Sequence, residues 1–495
     1  MLLLSTRNAA NVIDPLSAVL KGIAEDGGLF VPSAFPTFTW KQINAMKDMK
    51  YDEIAANILG MYFDLDADKL KKMMHDAYAS FDTEEVVPIR KIGDREFVLE
   101  LFHGPTIAFK DMALQVLPRL MSEAIKANGL GKDVLILTAT SGDTGKAALE
   151  GFKNVAGTRI VVFYPEDGVS DMQKLQMITQ EGSNTHVSAV RGNFDDAQTG
   201  VKNVFADEKF AEQLSTLGYV FSSANSINFG RLAPQIVYYV YGYVQLMKQG
   251  VIKEGDAINV CVPTGNFGNL LAAYYAKRMG LPIKKLICAS NKNNVLTDFF
   301  DSGMYFANRE FFKTTSPSMD ILISSNIERL VFEEVGRDAA LTSELMDELK
   351  KNGSYNLPDG IRTHLAENFY ADFCDDSRTM STIKRIYETE KYVMDTHTAV
   401  AQTVYDKYID NTNDHTPTLL ASTASPYKFA QDVVKALTGE TIEDAFAAAE
   451  ELQRLSGVQI PRAISDLKRK SVRHKSVCEK DEIGQAVVNF VDWID

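Results

Sequence analysis

The sequence predicts an α/β fold, and three observations carry that prediction. Short apolar runs alternate with amphipathic stretches through the middle of the chain, several of those runs end in glycine- and hydroxyl-rich loops, and the loops open directly into helical patterns. Strands alternating with helices imply parallel or mixed sheets flanked by helices. At 495 residues and 45% hydrophobic content, the chain can bury a large core and is long enough for two or three domains.

In chain order, residues 1–92 read as a mainly helical N-terminal domain, punctuated by DGGLFVPSAFP at Asp26 to Pro36. A large unit is expected over 93–130 and 216–495, and a small unit over 131–215. Within the large unit, about 291–392 turns polar and mixed and reads as an insertion. Apolar residues at Ala113, Val116, Leu117, Leu120, Met121 and Ala124 have the spacing of one buried helical face. They predict a helix from about Lys110 to Lys126, closed by Asn128 and Gly129 and kinked at Pro118. DVLILTA, RIVVFYP, THVSAV and YVFSS read as strands, followed by AINVCVP, KLICAS and TLLAS. Internal repeats and low-complexity linkers are missing.

A formal charge of −14 argues against nucleic acid or an anionic membrane as partner, because both are bound through net basic surfaces. An anionic ligand would need a site built locally from backbone amides and a few basic residues. The four cysteines, Cys261, Cys288, Cys374 and Cys478, lie far apart without a CxxC, so neither a disulfide framework nor a metal site is suggested. The start MLLLSTRN is too short for a signal-peptide core, and nowhere does an apolar run reach the roughly 18 residues of a membrane helix. A soluble cytoplasmic protein is expected.

The stretch HGPTIAFKDMA, His103 to Ala113, puts Lys110 where the helical pattern begins. Most lysines are solvated surface charges. A cation in a first helical turn is, however, opposed by the helix dipole. The position suits an amine that is uncharged or covalently modified in use, with Phe102, Ile107 and Phe109 as desolvating neighbours. On this segment alone, the structural and the catalytic reading both stand. His103 and His397 are expected to be local hydrogen-bonding groups and not bases.

In open parallel sheets, ligands bind outside the carboxyl ends of strands, so three loops are singled out. TSGDTGKAA, Thr140 to Ala148, offers amides and hydroxyls at a helix N-terminus, suited to a carboxylate or phosphate. It is not a nucleotide P-loop: Gly142 and Gly145 are separated by two residues instead of four, and Ala147 follows Lys146. PTGNFGN, Pro263 to Asn269, lets backbone approach a phosphate dianion closely through Gly265 and Gly268, without the GxGxxG spacing of a dinucleotide site. SSANSINFGR, Ser222 to Arg231, ends in an arginine suited to a second anionic group. Ordinary capped helices and solvated turns explain each loop taken singly. Together, a lysine at a helix start, a phosphate loop and an anion loop suit pyridoxal phosphate.

At this point the sequence resembles the threonine synthases, pyridoxal-phosphate enzymes of fold type II, the tryptophan synthase β group. The resemblance runs over nearly the whole chain, through STRN, GIAEDGGLFVP, HGPTIAFKD, TATSGDTGKAA, NSINFGR, VPTGNFGN, SPSMDI and STASPYKF. It implies that Lys110 is the Schiff-base lysine and that Gly265, Asn266, Phe267, Gly268 and Asn269 form the cofactor phosphate cup. Thr423 matches the hydroxyl residue facing the pyridine nitrogen. Ser141, Gly142, Asp143 and Thr144 match the loop that receives the substrate carboxylate, although many relatives carry asparagine where Asp143 stands. Asn225, Ser226 and Arg231 match residues near the substrate phosphate. The implied chemistry converts O-phospho-L-homoserine and water to L-threonine and phosphate, by γ-elimination and β-addition of water, in a monomer or homodimer. A serine or threonine dehydratase is the alternative within the fold group; a phosphate-binding ATPase or a silent cofactor-binding relative are the alternatives outside that chemistry.

Overall fold

The computed structural model describes residues 1–492 apart from 141, 167 and 168. Two sheets organise the chain. The larger runs in the order Phe369–Phe373, Ile283–Ser290, Ile258–Pro263, Thr418–Ser422, Glu96–Glu100 and Ile89–Lys91. Its first five strands are parallel and the last pairs antiparallel. The second is wholly parallel, in the order Ser476–Glu479, Thr185–Arg191, Thr158–Pro165, Asp133–Ala139 and Tyr219–Ser222. Every strand expected from the sequence is present; all but the edge strand Tyr219–Ser222 are largely buried runs covered by flanking helices.

The N-terminal region is mainly helical, with Pro15–Lys21, Trp40–Ala45, Tyr51–Gly60 and Ala67–Tyr78. Three of these begin on side chains that accept backbone N–H groups, Asp14, Thr39 and Asp66. A small antiparallel sheet of Leu3–Ser5, Val12–Ile13 and Phe30–Pro32 joins them. The helix Phe229–Lys248 is buried almost all round and packs against the N-terminal helices as well as against Gly268–Arg278.

Three features depart from the expected elements. The helix from Lys110 is two helices, Lys110–Leu114 and Leu117–Ala127, and Pro118 sits in the first turn of the second instead of kinking one rod. Proline is accommodated there because first-turn N–H groups have no intrahelical acceptor. Two strands from the stretch expected to belong to the large unit, Tyr219–Ser222 and Ser476–Glu479, hydrogen-bond in the second sheet. The polar stretch after residue 291 supplies Phe369–Phe373, an edge strand of the larger sheet.

His103 ties the N-terminal region to the larger sheet. Its Nδ1 lies 2.6 Å from Asp82 and its Nε2 2.9 Å from Glu100. Burial opposes the imidazolium, but hydrogen bonds to both carboxylates outweigh it and raise the group to about 9. A group raised on folding stabilises fully below its unfolded value of about 6.5 and loses that contribution as pH climbs through the folded value. The denaturant midpoint of the native chain is therefore expected to fall between pH 7.5 and pH 10 by more than that of His103→Gln.

Among the described residues no helix is long and apolar enough to cross a membrane, and no cluster of three or more His, Cys, Asp or Glu is placed to hold a metal ion.

Candidate active site

The site forms where three neighbouring strands of the larger sheet end. Glu96–Glu100 leads to Lys110, Thr418–Ser422 to Thr423, and Ile258–Pro263 to the glycine loop. The approach to Lys110 is pinned against the segment after Ser422. Phe109 N–H donates to the Thr423 carbonyl at 2.8 Å, Ser425 N–H to the Ile107 carbonyl at 3.0 Å, and Ala108 bridges Ala424. Ile107 adopts φ +54°, an expensive conformation for a β-branched residue that persists only when its surroundings hold it. The same turn is braced by Asp111, whose carboxylate accepts from Thr106 N–H at 2.8 Å and Thr106 Oγ1 at 2.7 Å.

Lys110 is not a surface cation: its side chain is 12% exposed. Its Nζ lies 3.3 Å from Ser318 Oγ, 3.8 Å from Asp143 Oδ2 and 5.7 Å from the centre of the Phe109 ring. Burial lowers the amine to about 8, with Lys428 and Arg231 acting in the same direction and Asp143 against them. Desolvation of this kind favours the neutral form of an amine, the form that can attack a carbonyl.

Asp143 comes from the second sheet, in the first turn of Asp143–Phe152. Gln173 Nε2 donates to its Oδ1 at 3.0 Å, Lys428 Nζ lies 3.1 Å from the same oxygen, and Ser318 Oγ donates to Oδ2 at 3.2 Å. Burial disfavours its charge, but Lys428, Lys110 and the bond from Gln173 prevail and hold the carboxyl well below the usual carboxylate range. Ser318 is itself placed by His397, whose Nε2 accepts the Ser318 N–H at 3.2 Å. Because a backbone N–H can only donate, that ring carries its proton on Nδ1, directed at Asp395 2.9 Å away. His397 is thus a local hydrogen-bonding group, as expected.

The glycine loop has the features of an anion cradle. Phe267 at φ +62° opens the helix Gly268–Arg278, exposing its first N–H groups. A Cβ on Gly265 would lie 2.7 Å from the Ser318 carbonyl, so only glycine passes between the loop and Ser318. Asn269 Nδ2 is buried without a hydrogen-bond partner among the described residues, and so is Arg231 Nε. Unpaired buried donors beside a helix N-terminus match a phosphate group.

Of the other expected residues, Gly142 precedes Asp143 at φ 149° with the Gln173 side chain across it, and Thr144 is half-buried in the same first turn. Ser141 lies outside the described residues. Ser226 Oγ meets Ser325 Oγ at 3.2 Å, Arg231 donates from Nη1 to the Ala224 carbonyl at 2.8 Å, and the Asn225 side chain is exposed. Asn266 is also exposed, held by its carbonyl. A cavity of about 200 Å³ is lined by Gln173, Pro317 and Lys428 among others. A larger one of about 480 Å³, lined by residues such as Lys284, Phe369 and Tyr408, includes none of these groups and is not the site.

Sequence reasoning missed Ser318 and Lys428, although both lie inside the quoted SPSMDI and STASPYKF. It also missed residues 324–329, where the dispersed motifs converge. Ser324 Oγ donates to the Gly265 carbonyl at 2.8 Å and Asn326 Nδ2 to the Asn266 carbonyl at 2.9 Å. Glu328 accepts from Arg7 at 2.8 Å, and the fully buried Arg329 donates to the carbonyls of Phe30 and Ile227 and to Asn326 Oδ1. STRN, GGLFVP, NSINFGR and the glycine loop thus meet on one short segment.

Three family models match the chain: the threonine synthase N terminus over residues 3–78, the pyridoxal-phosphate-dependent enzymes over 89–420, and the threonine synthase C-terminal region over 398–486. The chain belongs to the threonine synthase family. The family's cofactor is pyridoxal 5′-phosphate, and the buried lysine, cradle and unpaired donors described above fit it. A threonine synthase of Schizosaccharomyces pombe is 37% identical over 468 residues, covering 88% of this chain and 89% of its own length. A threonine synthase-like 1 protein of Homo sapiens is 41% identical over 439 residues, 86% of this chain; the match spans only 58% of that relative's length. Among solved structures, a threonine synthase from Brucella melitensis with the cofactor bound superposes with a TM-score of 0.89 at 37% identity, covering 100% of this chain and 99% of that one.

Proposed function

We propose that the chain is a threonine synthase, converting O-phospho-L-homoserine and water to L-threonine and phosphate, with Lys110 carrying the cofactor. The observation that supports this above all is a buried Lys110 on a turn hydrogen-bonded to Thr423, facing Asp143 across the ends of two sheets. Gly265, Asn266, Phe267, Gly268 and Asn269 would hold the cofactor phosphate through backbone N–H groups and the free Asn269 amide, and Thr423 would face the ring nitrogen. When bound, pyridoxal phosphate supplies a carbonyl that takes up amines and a ring that accepts an electron pair from the adjoining carbon.

The protein's own residues handle protons and charge. Lys110, as a free amine, would take the proton from substrate Cα, give that proton up within the site, then take another from Cβ as phosphate leaves Cγ, and return it to carbon at Cγ before water adds at Cβ. One group can serve these carbons because its stem is flexible and its basicity lies near neutral pH. Ser318 Oγ, within 3.3 Å of Lys110 and 3.2 Å of Asp143, orients the amine between successive transfers. Gly142 and Thr144, with Ser141, would receive the substrate carboxylate at the start of Asp143–Phe152. Arg231, with its free Nε, would face the substrate phosphate together with Asn225 and Ser226. Burial around Lys110 keeps water from protonating intermediates early.

The proposal keeps a cytoplasmic setting, supported by four cysteines that are all free thiols. It also assigns residues 219–222 and 476–479 to the small substrate-binding unit, supported by the strand order. The deciding experiment has two steps. Borohydride reduction of the protein with pyridoxal phosphate should abolish a visible absorption band and leave a pyridoxyl group on Lys110. Phosphate and threonine should then appear in equal amounts from phosphohomoserine. An oxoacid product from serine or threonine, without phosphate release from phosphohomoserine, would make the chain a dehydratase.

A further inference from the structure

Lys428 is a buried cation to which the reaction above gives no task. Its side chain is 1% exposed, yet it comes from a short turn, Pro426–Phe429, directly after Thr423. Its Nζ donates to the Thr106 carbonyl at 3.0 Å, inside the turn that delivers Lys110, and lies 3.1 Å from Asp143 Oδ1. The other oxygen of the same carboxylate lies 3.8 Å from Lys110 Nζ and accepts from Ser318, which accepts from Lys110 in turn. One carboxylate therefore stands between two buried amines, one of which the proposed reaction requires to shed and regain protons.

We infer that Lys428 is a positioning residue for Lys110, a second basic partner that occupies one oxygen of Asp143 and so keeps that carboxylate from capturing Lys110 as an ammonium ion. The inference rests on the assignment of Lys110 made above. A buried carboxylate facing a single amine would form a closed ion pair and hold the proton on nitrogen. With Lys428 as its first partner, Asp143 is already neutralised when Lys110 approaches, and attraction from Asp143 is offset by repulsion from Lys428. The remaining charged groups near Lys110 do not reverse the balance. Arg231, on Phe229–Lys248, repels an ammonium. Asp111, on Lys110's own helix, attracts one but is itself held by Thr106. His397, reached through Ser318, offers only an unprotonated Nε2. The Thr106 contact adds a geometric role, since it joins the turn before Lys110 to the turn after Thr423.

The sign of the effect can be read on the amine itself without turnover. Full-length chain freed of cofactor is treated with cyanate, which reacts with neutral amines, over a pH series, and labelling of the Lys110 peptide is quantified by mass spectrometry. Relative to the native chain, Lys428→Met is expected to move the half-labelling pH upward by about one unit, a tenfold change in proton affinity. Asp143→Asn is expected to move it downward, and Lys428→Arg, which keeps the charge, to leave it in place. A structural defect would not displace the two neutralising variants in opposite directions. An unmoved or lowered midpoint in Lys428→Met overturns the inference. If that variant does not fold, an unmoved midpoint in Asp143→Asn overturns it as well. Borohydride trapping with pyridoxal phosphate on the same proteins separates the two claims. Opposite shifts without a pyridoxyl group on native Lys110 would leave the role of Lys428 intact and remove the cofactor assignment; a pyridoxyl group without the shifts would do the reverse.

Discussion

Replacing Lys110 by alanine is expected to lower turnover of phosphohomoserine by about four orders of magnitude while leaving the fold intact. The substitution removes both the tether and the proton carrier, and a positioned acid–base group alone contributes roughly 10²–10⁴-fold. Stability should not fall, because the lost group is a desolvated amine whose burial lowers it to about 8, and Asp143 keeps Lys428 at 3.1 Å. The variant should still bind pyridoxal phosphate through the glycine loop but give no pyridoxyl lysine after borohydride. A small added amine should restore part of the activity by supplying the missing base. Steady-state phosphate release with and without the added amine, an absorption titration with pyridoxal phosphate, the reduced-peptide map and a denaturant titration measure these consequences; retained turnover within tenfold of the native chain would remove Lys110 from the chemistry.

Arg329→Met should have the largest effect on stability and, through it, on cofactor binding. The guanidinium is fully buried, lowered to about 10 by desolvation, and is satisfied by two carbonyls and an amide oxygen instead of a carboxylate. Methionine has similar bulk but leaves the Phe30 and Ile227 carbonyls and Asn326 Oδ1 without their donor. Each unsatisfied buried acceptor costs about 1–3 kcal/mol, and a loss of about 3–5 kcal/mol is expected for the set. The consequence at the site is specific. Asn326, released from Arg329, is the residue that holds Asn266 from both its backbone N–H and its side chain. Pyridoxal phosphate affinity should fall at least about tenfold even under conditions where the variant is folded, as one such contact is worth about 1.4 kcal/mol. Equilibrium unfolding and a cofactor titration followed by absorption check the two parts; unchanged cofactor affinity in the folded variant would confine Arg329 to the fold.

Much of the architecture was legible because burial writes itself into composition. Strands such as DVLILTA and AINVCVP are covered on both faces, so most of their positions are apolar and the run stands out from its flanks. Two edge strands gave no such signal. Phe369–Phe373 is mostly half-exposed and Ser476–Glu479 has one buried residue, so neither differs in pattern from a loop. Pro118 misled in the other direction: periodicity continued through it, although the backbone divided the segment in two. At the site, Lys110 and the glycine loop could be singled out because their residue types are costly in those positions unless a ligand uses them. Ser318, Asn326 and Arg329 occupy an unremarkable polar stretch.

The sequence by itself determined the α/β class, seven strands in their order along the chain, the lysine at a helix start and the loops with anion-binding chemistry, since these follow from local periodicity and backbone geometry. Only the tertiary structure decided which charges face one another. Asp143, Lys428, Ser318 and Lys110 are up to 318 positions apart in the chain, and nothing in their local sequence specifies that they converge. Their contacts exist because two sheets bring their strand ends together in an interior poor in water, where a carboxylate shared between two amines controls which of them is charged.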